Sequence, residues 1–154
     1  MPMTLRRFLA LMACAATLGG CTIASPYRSV SDSPALPGET RVVALTHAVL
    51  DPATRRGFDQ QTEAIFNVLG QQPGIVGYSV RRQFFGNEVW TMTTWRDEAS
   101  RARFVSSQLH RDGIAAGGKA VRLGRFVRIE VPADETPMPW SRALMLLESS
   151  AVTY

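Results

Sequence analysis

His47 and His110 are the only histidines in the 154 residues. Either could act as a general base near neutral pH if it lined a pocket, because imidazole titrates in that range. His47 alternates with the core-like residues Val43, Leu45 and Val49, a pattern that favours a satisfied structural histidine. His110 falls near the end of a helical stretch, where an imidazolium would also complement the helix dipole. Arg81 and Arg82 are adjacent in a strand-like run and must point to opposite faces. At most one of them enters a given cavity, where it could hold a carboxylate or phenolate. Trp90 and Trp95 are separated by an odd number of positions and should also face opposite ways. A site built from these residues would use His110 or His47 as base, Arg82 to stabilise an anion, and Tyr78 with Trp90 as an aromatic wall for the substrate.

Other chemistries lack their residues. The histidines are not clustered with Cys, Asp or Glu, so no metal is expected, and no motif calls for a cofactor. There is no phosphate-binding glycine loop, nucleophile elbow or Cys-x-x-Cys. The formal net charge of +4 falls to about +2 if Arg6 and Arg7 are removed with a leader, too small and dispersed for nucleic acid.

Such a leader is expected over residues 1–20. A basic start at Arg6 and Arg7 precedes an apolar run over residues 8–18, then Gly19 and Gly20. The run is a normal length for a signal peptide and well short of the roughly 20 residues a membrane-spanning helix needs. Leu18-Gly19-Gly20-Cys21 resembles the lipobox of bacterial lipoproteins, whose cysteine accepts a diacylglyceryl group before cleavage. Cys14 would be discarded with the leader, leaving Cys21 as the lipidation site and the sole cysteine of the mature chain. The resemblance implies export and a stable lipid anchor. Thr22 after the cysteine, where an Asp is absent, implies the outer membrane, facing the periplasm, in a Gram-negative cell.

Residues 21–40 are rich in Ser and Pro and suggest a flexible tether. The folded domain is expected over residues 41–148, with 149–154 as a tail. Residues 41–50 are rich in β-branched and apolar residues and predict a strand. Asp51-Pro52 has the form of a helix start, with the helix running to about Leu69 on Phe58, Thr62, Ile65 and Leu69. Two strand-like runs, 75–85 and 88–95, flank a two-residue Gly86-Asn87 link that suggests a hairpin. Asp97 offers the cap of a second helix carrying Ala102, Phe104, Val105 and Leu109, and residues 113–118 break that pattern as a loop. A strand over 123–131 and a short helix over 139–148 carrying Trp140, Leu144 and Leu147 complete the chain.

The order β-α-β-β-α-β plus a C-terminal helix is that of an α+β, ferredoxin-like fold, an antiparallel sheet with helices on one face. The other face, expected to carry Tyr78, Phe84, Phe85, Trp90 and Met92, would be bare. A second copy of the chain is the simplest cover, so a homodimer is expected.

The segments Pro73-Gly74-Ile75-Val76-Gly77-Tyr78-Ser79-Val80 and Trp90-Thr91-Met92-Thr93-Thr94-Trp95-Arg96-Asp97-Glu98-Ala99, followed by Phe104 and His110, resemble antibiotic biosynthesis monooxygenase-like domains of the dimeric α/β barrel superfamily. The likeness covers about residues 41–131, and the tail from Pro137 to Leu144 resembles an extension found in some members. It implies a dimer with a pocket between sheet and helices in each subunit. Members include oxidases of electron-rich aromatic compounds that use oxygen without metal or flavin, haem-degrading enzymes, isomerases and proteins of no known activity. The haem-degrading branch uses an Asn on the first strand and a Trp and His on the second helix. Here the corresponding helix positions are Phe104 and Ile114 and the first strand has no Asn, a departure from that pattern. One expectation is cofactor-independent oxidation of a small aromatic or quinone-like compound outside the cytoplasm, although the fold alone does not choose among these activities. The alternative is a non-catalytic small-molecule-binding or structural lipoprotein.

Overall fold

The computed structural model describes residues 21–30 and 35–154. The expected leader, residues 1–20, lies outside the described residues. Two short strands come first, β1 (Thr22–Ala24) and β2 (Arg28–Ser29). The main run is β3 (Thr40–Leu50), α1 (Arg55–Leu69), β4 (Ile75–Gln83), β5 (Glu88–Trp95), α2 (Glu98–Val105), α3 (Gln108–Gly117) and β6 (Val121–Pro132). α4 (Trp140–Ser150) and β7 (Val152–Thr153) end the chain.

The four long strands lie in the order β4-β5-β3-β6, all antiparallel to their neighbours. With the β-α-β-β-α-β sequence this is the expected ferredoxin-like sheet. Alternate residues divide between its faces. Val42, Tyr78, Trp95 and Phe104 form one cluster with Leu69 and Ile75, joined by Ile65, Phe66 and Leu109 from α1 and α3. Val43, Leu45, Trp90, Met92 and Val127 point the other way.

That second face is not bare. α4 lies on it, with Ala143 and Leu147 buried against Val43, Leu45, Trp90, Met92 and Val127. Trp140 donates its indole N–H to Ser79 Oγ at 3.3 Å, pinning the helix to β4. The reason for expecting a second copy on this face is thereby removed, because the chain supplies its own cover. Of the residues expected there, only Trp90 and Met92 are on that face. Tyr78 packs beneath α1, and Phe84 and Phe85 stand exposed at the tip of the β4–β5 hairpin.

The segment expected to be a flexible tether is also placed differently. Thr22, Ile23 and Ala24 pair with Gln83, Arg82 and Arg81, and Arg28 and Ser29 pair with Tyr78 and Gly77. Ser- and Pro-rich composition offers little to bury, but edge pairing needs only backbone groups, and β4 presents an open row of them. Tyr27 secures the contact: a Cβ on Gly77 would lie 2.5 Å from its ring.

Helix boundaries move for identifiable reasons. Asp51 accepts from the amide of Ala53 at 2.8 Å and pairs with Arg122, so it stabilises a turn, and α1 begins four residues later. Asp97 does cap α2, accepting from Ser100 N at 2.7 Å. Ser107 then caps a separate helix, α3, which runs through the stretch expected to be a loop. Glycine is a poor helix former, but Gly113 allows close packing, since a Cβ there would lie 2.4 Å from Ile65 Cδ1 of α1. Among the described residues no helix is long and apolar enough to cross a membrane.

Candidate functional site

Antiparallel pairing of β3 with β5 puts His47 directly opposite Trp90. Opposed residues on one sheet face have Cβ atoms about 5 Å apart, and here the two rings stack with centroids 4.8 Å apart and planes within 7°. Glu88 shares this face, two residues before Trp90. Its Oε2 accepts from His47 Nε2 at 2.7 Å, while its Oε1 accepts from Gln83 Nε2 at 2.8 Å. A carboxylate oxygen accepts, so Nε2 is the donor in this contact, and an imidazole carrying a single ring proton there would have its lone pair on Nδ1. Nδ1 has no hydrogen bond among the described residues. Gln83 in turn folds over the hairpin: a Cβ on Gly86 would lie 1.7 Å from Gln83 Oε1, so a larger residue there would make this side chain move.

Two arginines complete this face. Arg81 is opposite Trp90 on β4, and its buried Nε has no partner among the described residues. Arg125 is opposite His47 on β6. His47 is 8% exposed and Trp90 9%, whereas the Glu88 side chain is 32% exposed, so the pair reaches solvent at its carboxylate end. Such a carboxylate–imidazole pair can take up a proton at Nδ1 while the carboxylate stabilises the imidazolium.

The other sequence-derived candidates lie on the opposite, helix-bearing face. Tyr78 is buried and donates its hydroxyl to the Phe66 carbonyl at 3.3 Å, docking α1. Arg82 is exposed on β4, opposite Ile23 of β1. His110 is half-buried in the first turn of α3, edge-on to Phe104 at 5.2 Å. Burial pushes its pKa below the ordinary range, outweighing the Val105 carbonyl that acts the other way. This corrects the expectation of an imidazolium at a helix C-terminus: the break at Ser106 and Ser107 puts His110 at the positive end of a new helix, where a cation is disfavoured.

The five candidates therefore do not converge. His47 and Trp90 meet on the α4 side, while Tyr78, Arg82 and His110 are on the other. Glu88 and Gln83 were missed. Glu88 and Trp90 have the i, i+2 spacing of one strand face, but only the β3–β5 register brings that face to His47. A cavity of about 370 Å³ lined by Leu36, Glu39, Thr40, Pro132 and Asp134 lies at the other end of β3 and includes none of the candidates. Among the described residues no three of His, Cys, Asp and Glu come together as a metal-binding group.

No protein-family profile matches the sequence, and no curated protein matches it. Solved structures do match. Rv0793 from Mycobacterium tuberculosis superposes with a TM-score of 0.57 at 16% identity, covering 62% of this chain and 98% of its own. An antibiotic biosynthesis monooxygenase gives 0.54 at 11% identity, covering 57% and 95%. A candidate antibiotic biosynthesis monooxygenase from Caulobacter crescentus gives 0.53 at 14% identity, covering 62% and 91%.

The chain has the ferredoxin-like fold of antibiotic biosynthesis monooxygenase-like proteins. Nearly the whole of each neighbour is matched by a share of this chain the size of the β3-to-β6 stretch. At these identities the likeness is one of fold, and the monooxygenase-like fold does not carry residue roles with it.

Proposed function

We propose that this chain is an exported lipoprotein, held to a membrane through lipid on Cys21, whose monooxygenase-like domain oxidises a small aromatic or quinone-like compound with dioxygen and without a cofactor. The observation that supports this reading is the Glu88–His47 pair beside Trp90 and the unpartnered Nε of Arg81, set in a fold shared with monooxygenase-like proteins. His47 is the base, Trp90 the aromatic wall, and Arg81 takes the anion-stabilising role first expected of Arg82.

For a substrate methylene flanked by aromatic rings, one C–H proton passes to His47 Nδ1. The resulting carbanion is oxidised by dioxygen, with formation of a C–O bond. Loss of water leaves a carbonyl, so that CH2 and O2 give C=O and H2O. The protein need only position the substrate, accept the proton and stabilise the anion.

Oxygen uptake with a panel of phenols, anthrones and hydroquinones tests the reading. His47→Ala and Glu88→Gln are expected to lower the rate by about 10²- to 10⁴-fold, and His110→Ala to leave it unchanged. Rates lost only in His110→Ala would move the base to the helix side. No uptake with any substrate, together with an apolar ligand found by mass spectrometry of the purified protein, would favour a binding module.

A further inference from the structure

The N-terminal pairing leaves almost no slack between Cys21 and the sheet. The amide of Phe84 donates to the Cys21 carbonyl at 2.9 Å, so the exposed cysteine sits beside the tip of the β4–β5 hairpin. That tip carries two adjacent aromatic side chains with no cover among the described residues: Phe84 is 57% exposed and Phe85 72%, packed edge-on to each other at 4.5 Å. Ile23, 52% exposed, is two residues after Cys21 on β1, and exposed Arg82 is its cross-strand partner. An apolar tip of this kind facing water is unfavourable unless something covers it.

We propose that the Phe84–Phe85 hairpin is a membrane-docking tip that inserts into the bilayer beside the acyl chains on Cys21. The inference rests on the lipid-anchor reading of Cys21 and goes beyond it. An anchor attached through a free coil would leave the domain tumbling above the surface, whereas an anchor bonded to the hairpin sets one orientation. Phe84, Phe85 and Ile23 enter the headgroup–acyl boundary, and Arg82 lays its stem along them with its guanidinium at the phosphates. The occupant is lipid rather than another protein because the acylated residue is itself hydrogen-bonded to the tip.

The mature lipidated protein in phosphatidylethanolamine–phosphatidylglycerol vesicles provides the test. Its only native cysteine is Cys21, so Phe85→Cys introduces the one labelling site on an acylated chain; Met145→Cys, 63% exposed on α4, serves as the aqueous control. A nitroxide at position 85 is expected to collide several-fold more with oxygen, relative to an aqueous relaxation agent, than one at 145. Phe84→Cys should give the same result. Equal, water-like accessibility at 84, 85 and 145 on a protein whose mass shows the lipid would overturn the docking tip and leave the anchor intact. A mature chain carrying no lipid on Cys21 would overturn both.

Discussion

Two histidines of similar appearance in the sequence have different surroundings. His47 has a carboxylate on Nε2 and an indole against its ring. His110 lies edge-on to Phe104, and burial lowers its pKa from the ordinary value. A histidine whose pKa is lower in the folded than in the unfolded chain binds fewer protons when folded. Its contribution therefore makes the protein less stable as pH falls through the unfolded value of about 6.5. Thermal melts from pH 8 to pH 5 are expected to show a decline in Tm that is shallower in His110→Phe than in the parent. Equal slopes would mean that His110 is not desolvated in solution. At His47 the expected effect is on turnover, with Glu88→Gln lowering the rate as His47→Ala does, because the first removes the carboxylate that stabilises the imidazolium and the second removes the base itself.

At the scale of elements, the sheet is covered on both sides, and the C-terminal helix is the less expected cover. Leu147 is 3% exposed in the cluster with Val43, Leu45 and Met92. Leu147→Ala is expected to cost about 2–5 kcal/mol in chemical denaturation. The cap at Asp97 satisfies the Ser100 amide, and Asp97→Ala is expected to cost about 1 kcal/mol. A value near zero would mean that α2 is held by packing alone. Gly77 tests the N-terminal pairing: Gly77→Val should displace Tyr27 and free the segment from the β4 edge, read as faster proteolysis within residues 21–30.

For the whole molecule, α4 already covers Val43, Leu45, Trp90 and Met92 on the face where a second copy was expected, while Phe84 and Phe85 stay exposed. The unlipidated chain from residue 21, with Cys21→Ser, is expected to give the monomer mass by light scattering; a dimer mass would require another interface. The proposed docking tip also relates anchor to site. Gln83 and Glu88 flank the hairpin, so docking through Phe84 and Phe85 would bring the Glu88–His47 end of the sheet next to the bilayer, where an apolar aromatic substrate concentrates.

By itself the sequence determined the order of the four long strands and the helical stretches between them, and hence the ferredoxin-like fold, because strand alternation, the Asp97 cap and the apolar stripe of α1 are local patterns. It also determined that Arg81 and Arg82, and Trp90 and Trp95, face opposite ways, since the pleat imposes that on any strand. Only tertiary structure decided which candidates share a face and what lies beside them. His47 meets Glu88 through a register between strands some forty residues apart, and the Cys21 segment joins β4 through backbone groups that every sequence possesses. Neither leaves a local mark in residue type, because strand register and edge pairing are settled by the packing of the whole sheet.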